Sequence, residues 1–260
     1  MNLIIFLICF CASVIGAICG IGGGVIIKPV LDALGVAEVA TISFLSGCTV
    51  LAMTTYSVTK SKLSGDSRVS FRIGFPLALG AAVGGILGKW GFSVIRSMSA
   101  EPERVGAIQA LCLLVVTLGT LLYTVFKKKI HTLQIDNSFV SVIIGMFLGV
   151  LSSFLGIGGG PINLVVFYFF FSMSTKTAAE NSLYVIFFSQ IASLIQSLVT
   201  GNVPDFEPGM LILMIVGGIS GGILGRYINK KIQDKHVERL FQLLMIVMIL
   251  INIYNIYRYW

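Results

Sequence analysis

Long apolar stretches separated by short polar segments dominate the sequence. Eight of these stretches contain no Asp, Glu, Lys or Arg; they cover residues 1–27, 39–59, 73–88, 105–126, 137–175, 181–204, 208–225 and 240–257. A membrane-spanning helix needs about 20 consecutive apolar residues, and most of these stretches are close to that length. The pattern therefore predicts an all-α, polytopic integral membrane protein.

The stretch 137–175 is too long for one crossing and short for two. It is interrupted by Gly156-Ile157-Gly158-Gly159-Gly160-Pro161, and the first stretch contains the similar segment Gly20-Ile21-Gly22-Gly23-Gly24. Relative to alanine, glycine in a helix interior costs about 1 kcal/mol and proline about 3 kcal/mol. Both segments are therefore predicted to break a helix, and Pro161 suits the first position of the helix that follows.

The two glycine segments belong to an internal repeat. The string GIGGG begins at Gly20 and again at Gly156, 136 positions later. A second string, GGILG followed by a base, begins at Gly84 and again at Gly221, 137 positions later. Two matches in the same order at nearly one offset predict two homologous membrane repeats in one integrated domain, residues 1–130 and 131–260.

The second repeated string lies in a row of glycines spaced four residues apart. These glycines are Gly80, Gly84 and Gly88 in the first half, and Gly217, Gly221 and Gly225 in the second. Such spacing puts them on one helix face, where another helix can approach closely, so we expect a packing role. The bases that follow, Lys89 and Arg226, are expected to extend to the membrane interface.

The composition supports a membrane protein and explains its net charge. Only 11% of residues are charged, against a usual value of about 25%, and 56% are hydrophobic. The net charge of +7 comes from Lys and Arg between the apolar stretches, which is typical of cytoplasmic loops and not of a nucleic-acid-binding surface. No nucleic-acid partner is therefore expected.

The distribution of Lys and Arg also separates two arrangements of the chain. If every apolar stretch crosses once, the basic loop 226–239 lies opposite the basic loop 60–72. If each GIGGG segment instead forms a re-entrant or half-helix hairpin, 60–72, 127–136 and 226–239 share the cytoplasmic side, and the acidic loops 32–38 and 199–208 lie outside. We favour the second arrangement, which makes the halves inverted repeats, a common plan of transporters.

The broken segments are also the best candidates for a binding site. Irregular backbone at membrane depth is tolerated only where it is buried in protein or lines a cavity. Each following helix begins with amide groups that lack helical partners, at the positive end of its dipole, and such N-termini bind anions. We expect Gly22–Gly24 and Gly158–Gly160 to bind a small oxyanion; the alternative is that these glycines only permit tight turns.

Four segments give the chain a resemblance to a known family. They are GIGGG followed by Lys28-Pro29, GIGGG at 156–160, Ala40-Thr41-Ile42-Ser43 and Ala179-Glu180-Asn181-Ser182-Leu183. In these segments the chain resembles the sulfite exporter TauE/SafE family, also called the toluene-sulfonate uptake permeases. The resemblance covers both halves and implies a secondary transporter of sulfite, sulfoacetate, organosulfonates or related sulfur anions.

The resemblance assigns family positions residue by residue. It carries over the glycines at 20, 22–24, 156 and 158–160, together with Pro29, Ser43 and Ser182. The second half departs from the pattern, because Val165 stands where Pro29 would align, and Pro161 and Asn163 are added. The two halves are therefore expected to contribute unequally.

Further polar side chains lie within the apolar stretches or at their edges. Lys28 either pairs with an anionic substrate or extends to the interface, and Glu180 either carries a coupling proton or lies at the interface. Asn163, Asn181 and Gln190 either donate to the substrate or bond a neighbouring helix. The full set of candidate binding residues is Gly20, Gly22, Gly23, Gly24, Lys28, Ser43, Gly156, Gly158, Gly159, Gly160, Pro161, Asn163, Asn181, Ser182 and Gln190.

Enzymatic chemistry finds no support in the sequence. The two histidines, His131 and His236, lie in basic loops, and the chain has no HExxH, GxSxG or phosphate-loop motif. The five cysteines form no CxxC pair, so free thiols are expected, with no metal site and no cofactor.

Together these observations predict a multi-pass protein of the cell membrane that moves a small sulfur-containing anion by alternating access. A proton or a sodium ion is the candidate coupling ion. Two alternatives stay open: an anion channel with the same backbone-lined site, and a membrane scaffold that transports nothing.

Overall fold

The computed structural model describes residues 2–65, 67–98 and 102–259, and these residues form α-helices joined by short loops. The helices are α1 (Asn2–Cys19), α2 (Gly24–Leu34), α3 (Val39–Leu63), α4 (Phe71–Met98), α5 (Pro102–Phe126), α6 (Ser138–Phe154), α7 (Pro161–Phe171), α8 (Thr175–Val199), α9 (Pro208–Lys231) and α10 (Asp234–Tyr259), with a short 3₁₀ turn at Lys127–Lys129.

Within the described ranges, seven helices are long and apolar enough to cross a membrane: α1, α3, α4, α5, α8, α9 and α10. α6 has 17 residues, and α2 and α7 have 11 each, so the last two reach only part of the way through a bilayer. The prediction of an all-α, multi-pass membrane protein is confirmed.

Both glycine segments interrupt the helices where the sequence predicted. α1 ends at Cys19 and α2 begins at Gly24, while α6 ends at Phe154 and α7 begins at Pro161. Pro161 occupies the start of α7. A backbone N–H at this position has no acceptor within the helix, so the N–H that proline lacks costs the helix no hydrogen bond. The resulting short helices begin in the protein interior.

The glycine rows let two pairs of helices pack with their backbones in contact. α4 packs along α6, where a Cβ on Gly84 would overlap the carbonyl oxygen of Met146. α9 packs along α1, where a Cβ on Gly221 would overlap the carbonyl oxygen of Phe10. The packing role predicted for these glycines is confirmed.

Polar loops gather at two opposite ends of the helix bundle. At the first end, here called the basic end, Arg72 pairs with Asp136 at 2.6 Å and Lys127 pairs with Glu238 at 2.7 Å. These contacts bring the loops 60–72, 127–136 and 226–239 together. The other end, here called the acidic end, has a depression lined by residues that include Glu38, Asp205 and Glu207.

α3 and α9, with 25 and 24 residues, run between the two ends. α5 and α10 pack against each other and form an outer layer. Their outward side chains are large and apolar: Leu111, Val115 and Leu250 are more than half exposed in the isolated chain. Such a surface suits contact with lipid chains.

Candidate functional site

The two glycine segments meet in the centre of the molecule. A Cβ on Gly24 would overlap the carbonyl oxygen of Ile157, and a Cβ on Gly159 would lie 3.0 Å from the carbonyl oxygen of Ile21. Gly24 and Gly159 therefore allow the backbone of each segment to lie against the other. We call residues 20–24 and 156–160 together the glycine layer.

The backbone of the layer turns in the same way in both halves. Gly22 has a φ of +74° and Gly158, 136 positions later, has a φ of +66°. This left-handed conformation is open to glycine and strained for other residues. Gly22 and Gly158 are therefore needed for the turns, which agrees with the alternative that the glycines only permit tight turns. That alternative does not explain the amide groups described in the next paragraph.

Several amide groups of the layer are buried and lack a protein acceptor. Among the described residues, the N–H groups of Gly22, Gly23, Gly158, Gly159 and Gly160 donate no hydrogen bond to another residue, although all five glycines are buried. Buried amides without a partner are rare in proteins and call for a ligand or an ordered water. The layer therefore presents two groups of donors suited to an anion.

Two apolar side chains pack against the layer. Val50 of α3 and Ile186 of α8 are 136 positions apart, and both are fully buried. A Cβ on Gly158 would lie 2.8 Å from Val50, and a Cβ on Gly159 would overlap Ile186. Neither residue was singled out from the sequence, since apolar residues inside apolar helices carry no distinguishing signal.

Small polar side chains surround the layer. The side-chain amide of Asn163 donates to Ser182 Oγ at 3.2 Å, and Asn163 Oδ1 is buried without a partner. Ser43 is also buried without a partner and lies against Gly156. Ser46, whose fully buried hydroxyl has no partner, was not predicted from the sequence; its offset of 136 from Ser182 was the available signal.

Lys28 does not extend to the membrane interface. Its ammonium group lies 2.6 Å from Asp32 Oδ2 on the next turn of α2, and both side chains are buried. Its Cε lies beside Gly156, so the base reaches the glycine layer. The spacing of four residues is the signal that could have identified Asp32 as its partner.

The end of α2 is held by α10. Asn255 donates to the carbonyl of Pro29 at 3.0 Å, and Arg258 donates to the carbonyl of Asp32 at 2.9 Å. These bonds satisfy carbonyl groups in and at the end of a short helix. They fix the segment that carries the Lys28–Asp32 pair.

A large cavity opens from the basic end toward the layer. Its volume is about 430 Å³, and its lining includes Ser57, Arg68, Lys176, Glu180, Arg226 and Lys230. Glu180 accepts hydrogen bonds from Ser61 Oγ and from the amide of Arg68 at 3.1 Å. The cavity thus contains four basic side chains and one acidic one, a balance that attracts anions.

A small cavity lies on the other side of the layer. Its volume is about 20 Å³, room for about one water molecule, and its lining includes Ser43, Lys89, Ser152, Gly156, Gln190 and Ser193. Gln190 donates to Ser152 Oγ at 3.4 Å. Lys89 and Arg226, expected at the membrane interface, instead line these two cavities.

Most candidate residues therefore gather at the layer, and Asn181 is an exception. Its side-chain amide donates to the carbonyl of Thr177 at 2.8 Å and to that of Arg68 at 3.4 Å. These bonds attach α8 to the loop before α4. Within the part of the chain that the structure describes, no group of three or more His, Cys, Asp or Glu is placed to hold a metal ion.

Two comparisons with known proteins found matches that cover most of the chain. The family model described as Sulfite exporter TauE/SafE matches residues 5–251. The chain is also similar to a curated protein of Bacillus subtilis (strain 168), "Probable membrane transporter protein YunE", with 23% identity over 91% of this chain and 91% of that protein. No solved structure matches the chain.

Proposed function

This chain belongs to the sulfite exporter TauE/SafE family of membrane transporters, and from that premise we propose that it is a secondary transporter of a small sulfur-containing anion. Sulfite, a sulfonate or a related oxyanion is the substrate class. The chain is a transporter and not an enzyme. We place it in the cell membrane, because its relative "Probable membrane transporter protein YunE" is bacterial and the basic loops group as expected for cytoplasmic loops.

One observation carries this proposal: five buried glycines of the layer, Gly22, Gly23, Gly158, Gly159 and Gly160, have amides with no hydrogen-bond acceptor among the residues that the structure describes. Two short helices, α2 and α7, begin at these amides, so the positive ends of their dipoles point into the layer. An oxyanion with several acceptor oxygens would satisfy donors from both segments. Ser43, Asn163 and Ser182 would add side-chain contacts, and Gln190 would do so from the small cavity.

We further propose that residues 1–130 and 131–260 are inverted repeats, each with a hairpin at its glycine segment. The exchanged packing supports this, because α4 packs on α6 and α9 on α1 at positions offset by 136 or 137 residues. The loops support it too, since single crossings would put 226–239 opposite 60–72, whereas they lie at one end.

The ends of the short helices agree with this arrangement. Ile5, near the start of α1, belongs to the same buried cluster as Met210, and α2 ends near Val36, so both helix ends lie at the acidic end. α6 begins next to the Arg72–Asp136 pair, and the segment after α5 bonds the end of α7, with Leu133 N–H donating to Phe169 O at 2.7 Å. One hairpin would thus enter from each side of the membrane.

The closed centre of the layer supports alternating access as the proposed mechanism. Val50 and Ile186 fill the space beside both glycine segments, so the large cavity does not continue as an open pore. This favours a carrier over a channel, in which the same donors would line a continuous path. A proton or a sodium ion is the proposed coupling ion.

Uptake into proteoliposomes tests the function. Sulfite, thiosulfate, sulfate and toluenesulfonate should be compared with and without a proton or sodium gradient. We expect one or more of these sulfur anions to be accumulated against its own gradient. Flux that only dissipates gradients at channel-like rates would support a pore, and no flux for any of the four would contradict transport.

The role of the glycine layer has its own test in Gly160→Ala. Gly160 has an extended backbone with φ −157°, and its new Cβ would meet no atom closer than 3.5 Å, so the variant should fold. The Cβ would nevertheless hinder an anion approaching the amide, and we expect a raised KM. Gly119→Ala, which meets nothing within 4 Å in α5, is the control. An unchanged KM in Gly160→Ala would mean that the glycine layer forms turns but does not bind the anion.

A further inference from the structure

The large and small cavities are related by the internal repeat. Three pairs of lining residues occupy equivalent positions: Ala179 and Ser43, Ser57 and Ser193, and Arg226 and Lys89, with the first of each pair in the large cavity. The first two pairs are 136 positions apart, and the last is 137 apart. The cavities are thus one structure built twice, on opposite sides of the glycine layer.

Each cavity receives one base from the corresponding glycine-rich helix. Lys89 follows Gly88 in α4, and Arg226 follows Gly225 in α9. Both glycines lie against a neighbouring backbone, the carbonyl of Val150 for Gly88 and that of Val14 for Gly225. This close packing fixes the position along the helix from which each base extends into its cavity.

The two bases have different surroundings in the present state. Arg226 donates from Nη1 to the carbonyl of Ser57 at 2.8 Å, leaving its other N–H donors available to the large cavity. Lys89 Nζ lies 5.6 Å from the ring centre of Phe92, beside a cavity with room for about one water. An anion can therefore reach Arg226 but not Lys89.

From this equivalence we infer that Arg226 and Lys89 bind the transported anion in turn, one on each side of the glycine layer. The structure corresponds to the state open to the basic end, with Arg226 in contact with the anion. In the opposite state the small cavity expands, the large one closes, and Lys89 takes the equivalent role. This inference rests on the proposed transport function and assigns to it two residues that lie outside the glycine layer.

Measuring KM from each side of the membrane tests the inference. Sulfite, thiosulfate and toluenesulfonate uptake would be compared in right-side-out and inverted membrane vesicles carrying Arg226→Met or Lys89→Met. We expect Arg226→Met to raise KM about tenfold where the basic end faces the substrate and less than about twofold in the other orientation. Lys89→Met should show the reverse, while Arg226→Lys and Lys89→Arg keep most of the affinity.

Two surface variants control for general loss of positive charge. Lys235 is exposed at the basic end, and Arg96 is exposed near Glu38 at the acidic end, so Lys235→Met and Arg96→Met should leave KM nearly unchanged. If Lys235→Met raised KM as much as Arg226→Met, general attraction by surface charge would explain the effect, and direct binding by Arg226 would be contradicted. Equal effects of Arg226→Met in both orientations, or none in either, would overturn it.

A labelling experiment separates failure of this inference from failure of the proposed function. Ser57→Cys and Ser193→Cys place thiols at equivalent positions of the two cavities in a background without native cysteines. We expect a membrane-impermeant maleimide to reach Ser57→Cys only from the basic end and Ser193→Cys only from the acidic end. Access to both from one end would contradict the paired cavities, whatever the substrate. Absence of flux in the unmodified protein would contradict the transport function alone.

Discussion

Lys28 and Asp32 form a buried ion pair of 2.6 Å on α2, with side chains only 4% and 5% exposed. Removing one partner of such a pair leaves a buried charge without compensation, which costs about 3–5 kcal/mol. We therefore expect Asp32→Asn to lower the free energy of unfolding by about that amount. The midpoint of thermal unfolding in detergent measures the loss, and an unchanged midpoint would contradict the burial of this pair.

A second ion pair provides the matched control. Lys127 and Glu238 lie 2.7 Å apart, but their side chains are 22% and 24% exposed, and exposed pairs contribute about 0–1 kcal/mol. Glu238→Gln should therefore change stability much less than Asp32→Asn. The double variant Lys28→Met/Asp32→Leu, which removes both charges, should recover most of the loss, since apolar residues of similar volume replace buried ion pairs well.

Two glycines of α4 give a prediction about helix packing. A Cβ on Gly84 would overlap the carbonyl oxygen of Met146, whereas a Cβ on Gly91 would meet nothing within 4 Å. Gly84→Ala should destabilise the protein by about 1–3 kcal/mol through overpacking. Gly91→Ala should be neutral or stabilising, because alanine favours helix by about 1 kcal/mol. Equal unfolding midpoints for the two variants would contradict the close approach of α4 and α6.

Besides the membrane-spanning helices, the features that could be predicted from the sequence are those that need glycine. A helix break at Gly20–Gly24 and at Gly156–Gly160 follows from helix propensity alone, and the structure has both breaks. The glycine face of α4 follows from the spacing of four residues. In each case the prediction needs only helix propensity or residue spacing and no knowledge of tertiary contacts.

The rest of the candidate site depends on contacts between distant segments. That Gly24 lies against Ile157 requires the two halves to pack together, which no single segment reveals. Lys89 and Arg226 were expected at the membrane interface because a base near the end of an apolar stretch usually extends there. They line cavities instead, since α4 and α9 continue beyond these bases to Met98 and Lys231.

Ile186 gives a prediction about the barrier in the glycine layer. Its side chain fills the space over Gly159, so Ile186→Ala should leave a cavity beside the layer. We expect this variant to leak the anion down its gradient and to lose uphill accumulation. Ile195→Ala is the control on the same helix, because Ile195 is 54% exposed. Fully coupled transport by Ile186→Ala would show that this side chain does not seal the layer.

The inverted arrangement predicts which loops a membrane-impermeant maleimide reaches in intact cells. The five native cysteines are free and are first replaced, leaving a background for single thiols. Asn202→Cys lies in the acidic loop, while Lys62→Cys and Gln233→Cys lie at the basic end, and all three positions are exposed. Because positively charged loops stay in the cytoplasm, Asn202→Cys should react in intact cells. The other two should react only after permeabilisation. If each apolar stretch crossed once, Lys62→Cys and Gln233→Cys would react from opposite sides, so this pair decides between the two arrangements.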